Sequence, residues 1–189
     1  MYWIWANERS DEYELRIDGV PPVIEEKDWS FDLGQYVVDS VPVIDVPYTM
    51  QPDERLTDNL IAPGCRGLLF NKKVKKIFND AGVDNIQYFE ARLVNTDSGE
   101  INDDYVIANI VGKIDCLDYE KSELELDQDG SIEYIDSLSI KNEDSVDYGN
   151  IFRLSAFHPV VVVSPLIKEE MENNKITGIR FYRPEDFSL

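Results

Sequence analysis

Two periods of apolar residues alternate along this chain. Tyr13, Leu15 and Ile17 are separated by single polar residues, the spacing of a half-buried strand. An aromatic run at 2–6 predicts an opening strand, and apolar or β-branched runs predict others over 86–94, 105–111, 124–126, 132–140 and 151–154. Turns are marked by GVPP at 19–22, TDSG at 96–99 and DQDG at 127–130. The stretch 37–48 carries Pro42 and Pro47, which confine it to a sheet edge or an extended connection because proline donates no ladder hydrogen bond. Residues 49–67 read as a connector with one short helix over 55–61.

The second period is helical. Val74, Ile77, Phe78 and Ala81 fall at i, i+3, i+4 and i+7, with Lys72, Lys73, Lys75 and Lys76 turned to water. This helix belongs to a repeat, since residues 69–89 and 162–182 superimpose without a gap. Both copies run two apolar residues, a cap, a helix, a turn and a strand. Asn71 matches Ser164 as N-cap, Val74 matches Ile167, Phe78 matches Met171, Val83 matches Ile176, and Ile86 matches Ile179. Pro165 takes the first helical position, where its missing N–H costs nothing. Two copies are too few, and too far apart, for a solenoid. The predicted class is α+β: a mostly antiparallel sheet with two similar strand-helix-strand units and few helices. The 189 residues suit a single α+β domain over 1–189, with room for a small N-terminal lobe over 1–60.

Charge changes the picture more than composition does. At 43% hydrophobic and 11% aromatic residues the chain can bury a core, yet its formal charge is −20. Such a field repels phosphate backbones and anionic membranes and attracts basic partners, so the expected partners exclude nucleic acid and membrane. From Asp97 to Asp147 there are sixteen acidic against three basic residues, a net −13 concentrated in one stretch. Two cysteines, Cys65 and Cys116, fit a reducing compartment better than a disulfide framework. With no signal-peptide pattern at the start, the expectation is a cytoplasmic protein.

Within the acidic stretch, KIDCLDYEKSE at 113–123 packs carboxylates around Cys116. Neighbouring negative charge suppresses a thiolate, and the one histidine, His158, sits before VVVV as a strand-entry residue. Cys116 therefore reads as a small buried filler and not as a nucleophile. Residues 125–136, ELDQDGSIEYID, can be laid on a calcium loop. Glu in place of Asp at the first position, Asp136 in place of Glu at the twelfth, and strand-like flanks favour a hairpin turn instead. Zinc has no plausible ligand set. An oxygen-loving ion such as magnesium or calcium could use Asp115, Asp118 and Glu120, which makes a metal-assisted hydrolase the competing enzymatic reading.

Four segments together carry a family resemblance. YWIWA, LLFNKKVKKIFNDAGVDNIQYFEARL, NIVGKIDCLDYEKSELE and the closing IFRLSAFHPVVVVSPLIKEEMENNKITGIRF resemble immunity protein family eleven of the bacterial polymorphic toxin systems. The resemblance is best over 68–181. It implies a non-enzymatic cytoplasmic protein, made beside a toxin delivered between competing bacteria, that binds the toxin and blocks it without a cofactor. It brings no set of functional residues. The charge pattern points the same way, because a one-sided acidic field speeds association with a basic toxin domain. The expected partner-binding residues are Asp115, Asp118, Glu120 and Glu123 with the aromatic anchors Tyr105, Tyr119 and Tyr134. A non-enzymatic adaptor is the third reading. The lysine helix could also meet the acidic half of a second copy, giving head-to-tail assembly.

Overall fold

The computed structural model describes residues 1–7, 12–141 and 147–189. Among these the elements run β1 (Trp3–Ala6), α1 (Pro22–Lys27), β2 (Ile44–Tyr48), β3 (Asn59–Leu60), β4 (Leu68–Asn71), α2 (Lys72–Asp80), β5 (Ile86–Asn95), β6 (Ile101–Ile110), β7 (Lys113–Ile114), β8 (Glu123–Leu126), β9 (Ile132–Ser137), β10 (Ile151–Leu154), β11 (Val161–Val163), α3 (Pro165–Asn173) and β12 (Arg180–Tyr182). They form two five-stranded sheets, ordered β12-β1-β11-β10-β7 and β2-β5-β6-β4-β3, and a separate β8-β9 hairpin. Pairing is antiparallel except at β10·β7 and β2·β5. The α+β class with a mostly antiparallel sheet is thus observed.

The repeat is real in three dimensions. In the first unit, β4-α2-β5, the two strands are both antiparallel to β6, which lies between them. In the second unit, β11-α3-β12, both strands are antiparallel to β1, which lies between them in the same way. Each helix begins at a side-chain cap: Asn71 accepts from the Val74 N–H and Ser164 from the Ile167 N–H. Each ends with the same three main-chain bonds. Ala81, Gly82 and Val83 donate to Ile77, Asn79 and Phe78, and Asn174, Lys175 and Ile176 donate to Glu170, Glu172 and Met171. The bond from the second residue past the cap, five positions back, closes the last turn and turns the chain toward the next strand.

Three clusters of apolar side chains hold these parts. Alternate residues of β6 face opposite ways: Tyr105 and Ile107 pack with Leu15, Ile24, Phe31 and β2, while Val106, Ala108 and Ile110 pack with α2, α3 and the other sheet. In that second cluster Trp5 stacks on Phe78 with ring centroids 5.9 Å apart. The far side of the β1-containing sheet (Ile4, Phe152, Val162) packs on Ile132, Ile135 and Leu138 from the hairpin side.

A polar knot joins the two units. The Asp58 carboxylate accepts from the Asn71 side chain (2.8 Å), the Thr177 N–H (2.9 Å) and the Thr177 hydroxyl (2.9 Å). The Asn59 N–H and side chain donate to the Thr177 and Gly178 carbonyls. Gly178 has φ of 79°, and a Cβ there would strike the Asn59 carbonyl oxygen, so glycine is required on both counts.

Several local expectations fail. Residues 13–17 form two isolated parallel bridges, Glu14 to Arg55 and Arg16 to Ile61, and not a strand. GVPP is no simple turn: Pro21 precedes α1 and Pro22 opens it. The helix expected at 55–61 is absent, because Asn59 and Leu60 pair with Phe70 and Leu69 as β3. Tertiary pairing there overrides a weak local preference. The proline-bearing stretch does end in an edge strand, β2, with Pro47 inside it.

Candidate partner-binding surface

The hairpin is set by alternation and by its loop. Along ELEL, Leu124 packs against the third cluster while Glu123 and Glu125 are exposed. The loop closes through Asp127 N–H to Ser131 carbonyl (2.8 Å) and Gly130 N–H to Asp127 carbonyl (2.9 Å), with Gly130 at φ 84°. The Asp129 carboxylate accepts from the Ser131 N–H and hydroxyl and is held below the usual aspartate range by those bonds. The calcium-loop pattern is therefore a hairpin turn whose acid is spent inside it. Glu125 stands directly opposite Tyr134, so a 44% exposed tyrosine is centred on an acidic face with Glu123 alongside.

The expected partner-binding residues separate into three groups. Glu123 and Tyr134 share the hairpin's outer face. Tyr119, 53% exposed, and Glu120 lie on the turn that leads into it, and Asp115 is exposed just after β7. Asp118 lies in the same turn but is engaged. Its carboxylate takes the Lys121 ammonium at 2.7 Å, and its carbonyl takes the Lys121 and Ser122 N–H groups and the Ser122 hydroxyl. The Lys121 bond holds the Asp118 carboxyl low, so this residue closes the turn. Tyr105 is a correction: it is 3% exposed, its hydroxyl donates to the Thr57 carbonyl at 2.6 Å, and burial pushes that phenol up. It is a core residue and no surface anchor. Two further residues are exposed on β8, Glu125 on the face of Glu123 and Leu126, 51% exposed at the end of the strand; the E-L-E-L alternation signalled the first and not the second.

The acidic stretch is also not one surface. Glu100, Asp103 and Asp104 flank the start of β6 near α2, away from the hairpin sheet, and Glu143 and Asp144 lie outside the described residues. The lysine helix is compensated within its own fold. Lys72 and Lys75 meet Glu90 at 3.7 and 3.4 Å, Lys73 meets Asp58 at 3.7 Å, and Lys76 pairs with Asp80. Three carboxylates thus answer four lysines, which leaves this helix little net charge to offer the acidic half of a second copy.

The three carboxylates of the metal-assisted hydrolase reading, Asp115, Asp118 and Glu120, are not brought together: among the described residues no group of three histidine, cysteine or carboxylate side chains is placed to hold a metal ion. Cys116 is fully buried, and burial with the nearby Asp115 pushes its thiol up to about 11. Cys65, also buried, is pushed up to about 12. A cleft of about 580 Å³ beside the hairpin base is lined by Tyr2, Lys121, Ser139, Lys141, Tyr148 and Glu185 among others. No helix among the described residues is long and apolar enough to cross a membrane.

A model of an immunity protein family, Imm11, matches residues 10–186, nearly the whole chain. No curated protein matches it.

Proposed function

Because the chain belongs to the Imm11 immunity protein family, we propose that it neutralises a cognate bacterial toxin by stoichiometric binding in the cytoplasm, using the acidic outer face of the β8-β9 hairpin. The observation that carries the choice of surface is the pairing of Glu125 with exposed Tyr134 beside Glu123, an aromatic anchor ringed by carboxylates. The reading needs no reaction and no cofactor. Tyr119 and Glu120 extend the contact from the adjoining turn, and a basic toxin domain is the complementary partner. The field of a −20 protein accelerates that encounter and makes it salt-dependent.

Co-expression with a candidate toxin domain from a neighbouring open reading frame is the test. Rescue of growth and co-purification are expected, and neither should survive conversion of Glu123, Glu125 and Tyr134 to glutamine, glutamine and alanine. Rescue by that triple variant, with unchanged salt dependence of binding, would place the interface elsewhere.

A further inference from the structure

We infer that β8 is a strand-receiving edge, on which an extended basic segment of the toxin adds a third strand to the hairpin; this rests on the neutralising reading above. The opposite edge of the hairpin is already occupied. Ile135 of β9 uses both its N–H and its carbonyl on Leu189, at 2.9 Å each, and the Leu138 N–H donates to the Pro184 carbonyl at 3.0 Å. That edge is covered by the C-terminal segment. Since both Ile135 groups point to Leu189, the Leu124-Ile135 pair is of the non-hydrogen-bonded kind, and the Leu124 N–H and carbonyl point away from β9. Two residues on, Leu126 points the same way, consistent with the Asp127 N–H turning back to Ser131. These outward groups have no main-chain partner among the described residues.

The edge is also regular enough to receive a strand. Register shifts leave Asp136 and Glu133 unpaired, so both extra residues fall in β9 and β8 stays unbulged. A second copy is excluded as occupant, because β8 against β8 would set Glu123 and Glu125 against like charges. The same glutamates favour a segment with lysine or arginine at alternate positions. Apolar residues between them would cover half-exposed Leu126, and main-chain bonds would supply the affinity.

Amide hydrogen exchange on the complex with the toxin domain identified by that co-expression tests it. The Leu124 and Leu126 amides should slow by about a hundredfold on binding, while the Glu125 amide, in the hydrogen-bonded register opposite Tyr134, is slow throughout. Leu126→Pro deletes an outward N–H where an edge tolerates proline, and should bind about tenfold more weakly with Tm nearly unchanged. Leu126→Ala, which keeps that N–H, should lose no more than about threefold. Binding with both amides exchanging as in the free chain, or equal affinity of the two variants, overturns the strand addition and leaves neutralisation standing. Absence of any binding removes neutralisation itself, and the strand addition with it.

Discussion

The two strand-helix-strand units share their main-chain hydrogen bonds residue for residue, yet almost none of their exposed side chains. In the first unit the residue after the helix cap is Gly82 at φ 70°; in the second it is Lys175 at φ 53°. The first cap, Asn71, also donates to Asp58, whereas the second, Ser164, donates to Asn150. On α2 four lysines meet carboxylates, while on α3 the single lysine, Lys168, pairs with Glu172 at 2.6 Å; Lys75 and its counterpart Lys168 each lie over a ring, Tyr88 at 4.9 Å and Trp3 at 4.5 Å. A buried face, a cap and a helix-ending turn therefore specify the unit. Surface chemistry is free to diverge until the units touch at the Asp58–Thr177 knot.

The sharpest break of that equivalence is Gly178→Ala, which strains a positive φ and drives a methyl into the Asn59 carbonyl. A loss of about 3 kcal/mol or more is expected, a fall in Tm of about 10 °C by calorimetry. Asp58→Asn should cost about 2 kcal/mol by removing a charged acceptor shared by both units. Its pH dependence has a definite sign. Burial alone would raise the Asp58 pKa, but bonds from Thr177 and Asn71 and the charge of Lys73 outweigh it and hold the carboxyl below its ordinary 3.8. The stabilisation is present above that ordinary value and is lost as pH falls through the lower folded value. The Tm gap between wild type and Asp58→Asn should therefore close as pH falls below about 4. The caps differ next: Asn71→Ala should cost about 2 kcal/mol and Ser164→Ala about 1, because the first also strands a bond to an ionised carboxylate. Equal costs would mean that the knot adds nothing. Smallest is Lys175→Gly, expected to stabilise by about 0.5–1 kcal/mol by matching the first unit, read as a small rise in the denaturant midpoint.

Much of this was legible before the fold. The caps at Asn71 and Ser164, the β10 strand at 151–154, the DQDG hairpin and the paired units all follow from short-range pattern. The misses share a cause. Residues 13–17 and 58–60 take their conformations from partners far along the chain, Arg55 and Ile61 for one and Phe70 with Thr177 for the other. Among the candidate surface residues, Glu123 and Tyr134 are exposed, as their charge and pattern suggested. Tyr105 was misplaced because its exposure depends on a Thr57 carbonyl that lies 48 positions away.

The sequence by itself determined the α+β class, the duplicated unit, the acidity and the family resemblance, because these rest on periodicity, local capping and composition. Only the tertiary structure decided which acids are free. Asp118 and Asp129 close turns, Asp58 ties the two units, and Glu90 and Asp80 answer the lysine helix. Glu123 and Glu125 remain on an open edge. Whether a carboxylate is a recognition group or a structural acceptor depends on the donors that folding brings within hydrogen-bond range, and those donors are not its neighbours along the chain.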